Sequence, residues 1–343
     1  MKTILIVDDN STNLLVAENV LSPYYEVITA LSASLMFELL EDIIPDLILL
    51  DVLMPDTDGF EVIAQLRKDS RYADIPVMFL TSQTDAAVEA RGFESGVVDF
   101  IAKPFFHTVL LSRIKKHLAI DQIIRERTQE LEQLKDSIAS AVANAVEKRA
   151  TCTGRHMERT ASYVEIFIAA MLKNDVYADE LKKYNPEVVA SAARLHDLGK
   201  IRIPDAILSK PSKLSQDEFS VVKTHATEGE KIVDEIAKRA NDAEFLSYAK
   251  MCAGSHHERW DGTGYPRNLK GEEIPLLGRI MAIVDVYDAL VSVRPYKVAF
   301  SHEDALEIIR NNRGSHFDPQ MVDVFLDIHR QFAEVRYTDQ TGG

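Results

Sequence analysis

The side chains best able to do chemistry cluster in two stretches of this sequence. One is His196-Asp197-Leu198-Gly199-Lys200, and the other runs from His256-His257-Glu258 through Arg259-Trp260-Asp261-Gly262-Thr263-Gly264-Tyr265-Pro266. Each sets metal-ligating groups beside a cation or an aromatic ring. With His156, His225 and Asp285 they give seven candidate ligands: His156, His196, Asp197, His225, His256, His257 and Asp285. A lone histidine is more often a core or surface residue than a ligand, so the doublets carry this reading. A carboxylate such as Asp197 has two oxygens and can bridge two cations. Imidazole with carboxylate suits Fe, Mn, Ni or Zn, and no thiolate cluster points to structural zinc. A two-metal site activates water on one side and stabilises a leaving oxygen on the other. That is phosphoester chemistry.

The elements that must position these groups are helical. Periodic apolar residues predict helices over Tyr163–Leu172, Glu187–Leu195, Asp217–Ala237, Glu244–Ala253, Leu277–Leu290 and Asp304–Ile309. Strand signals are scarce over 151–335, which predicts an all-α domain. His196-Asp197 then stands at the end of an apolar helix, Val188–Leu195, and Asp285 comes from another, Ile280–Leu290.

A second constellation lies in residues 1–120. Short apolar runs at Ile4–Val7, Tyr25–Thr29, Leu47–Leu50, Pro76–Leu80 and Asp99–Ala102 alternate with helical patterns. That order predicts βαβ units and a parallel five-stranded sheet, with function at the C-terminal strand edges. Asp8-Asp9, Asp51, Thr81-Ser82 and Lys103-Pro104 fall at those edges. Converging carboxylates repel one another unless a hard cation joins them, and Mg²⁺ prefers such oxygen donors. One carboxylate can then act as nucleophile toward a phosphoryl group, whose oxygens a hydroxyl and an ammonium would hold.

In order, spacing and strand-end placement this constellation resembles the receiver domain of two-component response regulators, a flavodoxin-like α/β fold. The resemblance implies that Asp51 is the phosphoacceptor. It implies that Asp8, Asp9 and the backbone carbonyl of Leu53 help hold Mg²⁺, and that Thr81 and Lys103 contact the phosphoryl group. Phe100 stands where the family has an aromatic switch residue, and a cognate histidine kinase is implied as partner.

Between the two regions, Val109 to Glu147 contains no Pro or Gly. Ile120, Ile124, Leu131, Leu134, Ile138, Ala141 and Ala145 approach a heptad seam, interrupted by Arg127. The expectation is a long helix that pairs two copies of the chain, against the alternative of an amphipathic helix lying on its own domain.

The C-terminal region resembles the HD-GYP family, a subgroup of the HD phosphohydrolases. The resemblance rests on Thr153-Gly154-Arg155-His156, HDLGKIRIPDAILSKPSKLSQDEF, His225, HHERWDGTGYP, DVYDALVSVRPYK and GSHFDP, in that order. It implies hydrolysis of cyclic di-GMP to linear pGpG, and in some members on to GMP. The seven candidates would ligate the metals, with Asp197 bridging. Lys200 would face a phosphate, Tyr265 would stack on guanine, and Arg294 and Lys297 would grip substrate phosphates. Glu258, Trp260, Asp261, His316 and Asp318 are expected to order the loop. Some members carry a Glu four residues before the first His and hold three metals. Here that position is Cys152, and Ala150 replaces a frequent Asp, so the expectation is two metals, Fe or Mn, with Ni or Zn as alternatives, in an active enzyme.

Composition sets outer bounds. The chain has 343 residues, 46% of them hydrophobic, and a net charge of −15. That charge opposes wrapping of a nucleic-acid backbone, so no DNA partner is expected. Two cysteines, Cys152 and Cys252, cannot build a disulfide framework. The short apolar run after Met1 ends in two acids and does not read as a signal peptide. No apolar run is long enough to span a membrane, so a cytoplasmic protein is expected. The expected organisation is a receiver over 1–120, a helical linker over 121–150, an HD-GYP domain over 151–335 and a tail over 336–343. Two other functions fit the motifs: a phosphodiesterase for mixed cyclic GMP-AMP, and a non-catalytic cyclic di-GMP receptor.

Overall fold

The computed structural model describes all residues except 56, 83–85, 150–155, 241, 293–298 and 342–343, and describes the backbone but not the side chains of 86–89 and 337–341. The chain divides into two compact units, Met1–Leu131 and Glu132–Gly343.

In the first unit, strands β1 (Thr3–Val7), β2 (Glu26–Ala30), β3 (Leu47–Asp51), β4 (Val77–Thr81) and β5 (Asp99–Ala102) alternate with helices α1 (Ser11–Leu21), α2 (Ala33–Asp42), α3 (Gly59–Leu66) and α4 (Ala86–Glu94). The strands pair in parallel in the order β2-β1-β3-β4-β5. Alternation along each strand sends side chains to opposite faces. Leu5, Val7, Ile48, Leu50, Val77 and Phe79 pack with Met36 of α2 and Ile63 of α3. Ile4, Ile6, Leu47, Leu49, Met78 and Leu80 pack with Leu14 and Leu21 of α1 and with Leu110 and Ile114. Both faces are therefore covered, which is why the strands read as continuous apolar runs. Order reverses between β1 and β3, and the acidic residues stand at that switch point.

Helix α5 (His107–Arg149) is continuous. Leu110, Ile114 and Leu118 belong to the first unit's core, and Ala139, Ala143 and Val146 to the second's. Ile124, Leu131, Leu134 and Ile138 stay exposed.

Among its described residues the second unit is built of helices: α6 (His156–Lys173), α7 (Ala178–Leu181), α8 (Pro186–Ala193), a 3₁₀ segment (Leu198–Arg202), α9 (Asp205–Leu208), α10 (Gln216–Lys223), α11 (His225–Ala237), α12 (Ala243–Ser255), α13 (Leu276–Val291), α14 (His302–Asn311) and α15 (Pro319–Thr341). Its core joins Tyr163 and Phe167 of α6 to Tyr287 of α13 and to Phe325 and Phe332 of α15, with the Tyr163 and Phe332 rings stacked at 4.5 Å.

Two expectations are corrected here. The helix expected over Asp217–Ala237 is two helices that meet at Thr224. The Thr224 hydroxyl and N–H both bond the Val221 carbonyl, and the His225 ring bonds the Val222 carbonyl at 2.7 Å. Side chains thus take carbonyls that a continuous helix would use. The helix expected to reach Leu195 ends at Ala193, so His196 and Asp197 sit in the turn beyond it.

Candidate metal centre

Three layers of local structure deliver the histidines. α6 begins at His156, α11 begins at His225, and α12 ends just before His256-His257. The His196-Asp197 turn is pressed against α11 by Gly199, where an added Cβ would lie 1.9 Å from the His225 carbonyl oxygen. Only a residue without a side chain permits that approach. α13 supplies Asp285.

The side chains converge on Asp197. Its Oδ2 lies 3.4 Å from His196 Nε2, and its Oδ1 lies 3.5 Å from His225 Nε2 and 3.9 Å from His256 Nε2. Asp285 Oδ1 is 3.6 Å from His156 Nε2 and 3.8 Å from His196 Nε2. Ligand atoms of His156, His196 and Asp285 fall within 4.8 Å of one another, as do those of His225, His256 and His257. Asp197 spans the two groups with one oxygen toward each.

The outer nitrogens are fixed. His156 Nδ1 bonds Asp288 at 2.7 Å, His196 Nδ1 bonds the Ala193 carbonyl at 2.9 Å, His225 Nδ1 bonds Val222, and His256 Nδ1 bonds the Cys252 carbonyl at 2.9 Å. An Nδ1–H donor leaves Nε2 as a lone pair aimed inward. The Nε2 atoms of His225 and His256 then face each other at 3.3 Å, an arrangement that a shared cation relieves. His196 Nε2 and Asp197 Oδ1 are buried and have no hydrogen-bond partner. Such orphaned atoms are costly, so the donor set fits a pair of divalent cations.

The electrostatics agree. Burial pushes His256 down to about 3, with His196 and His225 adding to the effect. Burial also lowers His225 and holds His257 well below the usual imidazole range. These rings are neutral at neutral pH, the state that ligates. Burial opposes charge on His196 as well, but the Asp197 carboxylate outweighs it and raises the ring to about 9. Asp197, although burial opposes its ionisation, is held well below the carboxylate range by Lys200 and His196.

Lys200 is paired with Asp197. The Tyr265 ring lies 4.7 Å from the His257 ring, with Lys223 Nζ 5.3 Å from its centroid. Glu258 ties the loop that carries Tyr265, accepting from Arg267 N at 2.7 Å and Leu269 N at 3.0 Å. At Gly264 a Cβ would lie 2.3 Å from Arg259 N. Trp260 and Asp261 donate their backbone N–H to the carbonyls of His316 and Ser315, while Asp318 accepts from Arg279 and Tyr177. Arg294, Lys297, Cys152 and Ala150 lie outside the described residues.

Sequence reading missed two participants. Asp288 accepts from both His156 and Arg159, the latter at 2.6 Å. The signal was present, since Asp288 follows Asp285 by one helical turn, but nothing in the sequence says that this face meets α6.

The acidic site of the first unit is equally compact. Asp8, Asp9 and Asp51 present oxygens within 4.8 Å of one another. Lys103 Nζ lies 2.6 Å from both Asp8 and Asp51. Burial raises Asp51 despite that lysine. Leu53 N–H donates to Asp51 at 3.3 Å, Thr81 ends β4 beside it, and Phe100 is turned inward, 5.8 Å from the Phe79 ring. Three carboxylate donors are a set that Mg²⁺ accepts.

The family model for the response regulator receiver domain matches residues 4–115, and that for the HD domain matches 123–321. A Vibrio cholerae protein named probable cyclic di-GMP phosphodiesterase is 40% identical, over 97% of this chain and 79% of its own length. The cyclic di-GMP phosphodiesterase response regulator RpfG of Xanthomonas campestris is 36% identical over 84% of this chain and 77% of its own. A cyclic di-GMP phosphodiesterase of Thermotoga maritima is 31% identical, over 98% of this chain and 92% of its own. No described helix is long and apolar enough to cross a membrane. The chain belongs to the HD-domain family, among the response regulators that join a receiver domain to an HD domain.

Proposed function

We propose that this protein is a response regulator whose second unit hydrolyses cyclic di-GMP to linear pGpG, with GMP as the further product to test for. The observation that carries the reading is the convergence of seven ligand side chains with Asp197 facing both groups. His156, His196 and Asp285 would hold one cation, and His225, His256 and His257 the other, with Asp197 bridging. Bound divalent metals supply Lewis acidity toward a phosphoryl oxygen and activation of water. The imidazole and carboxylate donors suit Fe or Mn, and also Ni or Zn.

The chain's own residues do the rest. Lys200 places a cation beside Asp197, toward the substrate phosphate. Tyr265 offers a ring for guanine at the edge of the centre, a role that aromatic side chains fill for any base. Arg294 and Lys297 would grip the phosphates. In the receiver, 1–120, Asp51 would accept the phosphoryl group from a cognate histidine kinase, with Mg²⁺ on Asp8, Asp9 and the Leu53 carbonyl and with Thr81 and Lys103 on the phosphoryl oxygens. The exposed face of α5 with Leu131, Leu134 and Ile138 supports pairing of two chains. The net charge of −15 supports a partner set without DNA, and the use of only two cysteines supports a cytoplasmic setting.

The test is turnover of cyclic di-GMP by anaerobically purified protein with Mn²⁺ or Fe²⁺, with product analysis. No turnover by the wild type, or undiminished turnover in Asp197→Ala, rejects the reading. Three Vibrio cholerae relatives are named 3'3'-cGAMP-specific phosphodiesterases, one of them 34% identical over 80% of this chain and 49% of its own length. Side-by-side rates on the two dinucleotides decide between them. A cysteine introduced at Leu131 that forms no crosslink rejects the pairing.

A further inference from the structure

The second unit buries one carboxylate that the seven-ligand centre does not use. Glu147, near the C-terminal end of α5, is 5% exposed. Neither of its oxygens has a hydrogen-bond partner. Burial pushes its carboxyl up from the usual carboxylate range, with the His156 ring opposing that shift and Asp197 adding to it. Orphaned buried side-chain atoms are few among the described residues, and His196 Nε2 and Asp197 Oδ1 of the metal centre are among them. A buried carboxylate with no donor and no cation is costly. A cation shared with the His196 and Asp197 atoms that also lack partners would relieve it.

Glu147 is also anchored there. Val146 packs in the second unit's core. Two residues beyond Glu147, Arg149 bonds Asp205 and the carbonyls of Ile201 and Ile203, the last at 3.2 Å. These contacts tie the helix end to the segment that follows His196-Asp197-Leu198-Gly199-Lys200.

Charge balance gives a second argument. Two divalent cations held by Asp197 and Asp285, with neutral imidazoles completing the donors, leave a buried excess of positive charge. Lys200 adds to it. One further carboxylate on the His156–His196 side reduces that excess.

We propose that Glu147 is an eighth member of the metal centre, a carboxylate delivered by α5 that binds divalent metal on the His156–His196 side. This rests on the dimetal reading above. Glu147 stands outside the tight ligand cluster, so it either closes on the cation held by His156, His196 and Asp285 or holds one of its own beside it. Both arrangements make the same demand: removing its charge weakens metal binding.

The experiment is Mn²⁺ titration of metal-stripped full-length protein, followed by metal content and by melting temperature. Glu147→Gln keeps the shape and removes the charge. The metal-free variant is expected to melt no lower than the wild type, since the substitution keeps the shape of a buried carboxyl that has no hydrogen-bond partner to lose. Its affinity for at least one Mn²⁺ should fall roughly 10- to 100-fold, and the Mn²⁺-induced rise in melting temperature should shrink. Mn²⁺ affinity and stoichiometry equal to wild type overturn the proposal. Should Glu147→Gln fail to fold, Glu147→Asp decides, because its shorter carboxylate should lose affinity several-fold and unchanged binding overturns the proposal. Asp197→Asn separates the two levels of argument. A wild type that takes up no Mn²⁺, or an Asp197→Asn that binds as well as wild type, sinks the dimetal reading. Loss in Asp197→Asn with none in Glu147→Gln sinks the Glu147 assignment alone.

Discussion

His156 bonds Asp288 through Nδ1 at 2.7 Å and turns Nε2 toward Asp285, 3.6 Å away. One imidazole thus has a carboxylate on each side, the outer one fixing the ring and the inner one sharing its ligand position. Arg159 neutralises the outer carboxylate, so the charge that orients His156 is itself compensated. Such outer partners set tautomer and ring angle.

Asp288→Asn should weaken metal binding by roughly 10- to 100-fold through loss of that orientation. It should also destabilise the fold by about 3 kcal/mol, because the partly buried Arg159 loses its carboxylate while keeping Ser292. Metal titration and thermal melts of the metal-free protein read the two effects separately. Unchanged metal affinity would show that packing alone holds His156.

Asp197→Asn should cost both metals and not one, because each Asp197 oxygen faces a different histidine group. Metal content should fall for both sites, and hydrolysis by at least about a hundredfold, in line with the loss of a principal electrostatic group. Retention of one full equivalent would show that the carboxylate does not bridge.

Metal affinity should rise with pH up to about 9. In the metal-free protein His196 is held protonated up to about 9 by Asp197, against the opposing effect of burial. A cation must displace that proton, so the apparent affinity should rise by about tenfold per pH unit between neutrality and 9 and then level. The already neutral His225, His256 and His257 contribute no such slope. The same pairing stabilises the metal-free fold at low pH and is lost as pH rises through about 9. Mn²⁺ titrations across that range, at constant ionic strength, test this.

Gly199→Ala should be destabilising by about 2 kcal/mol or more, in the manner of overpacking. Its Cβ would meet the His225 carbonyl at 1.9 Å and Gly229 N at 2.4 Å. Relief requires the Asp197 turn and the start of α11 to separate, which moves Asp197 from His225. A variant with wild-type melting and activity would contradict that close approach.

In the receiver, Asp51→Asn should abolish labelling by a small-molecule phosphodonor in the presence of Mg²⁺. Lys103→Ala should retain some labelling but destabilise the phosphorylated state, since its ammonium lies 2.6 Å from Asp51. Phosphate-affinity gels resolve both outcomes. Labelling that survives in Asp51→Asn would move the acceptor elsewhere.

Much of this protein is legible without coordinates. Continuous apolar runs at Ile4–Val7 and Leu47–Leu50 fix buried strands, because only a sheet covered on both faces tolerates them. Their C-terminal ends carry Asp8 and Asp51, so the acidic site follows from strand order and residue type. The doublets His196-Asp197 and His256-His257 are legible in the same way, as ligand pairs beside apolar helices, whereas the lone His156 and His225 are assigned through the family resemblance. What the sequence could not decide is long-range. The break at Thr224 depends on side chains competing for carbonyls, and periodicity runs through it unmarked. That Asp288 meets α6, that Asp197 turns one oxygen to each histidine group, and that Glu147 is buried without a partner all depend on how separate helices pack. Periodicity reports which face of an element is buried. The packing of α5, α6, α11, α12 and α13 decides what that face meets.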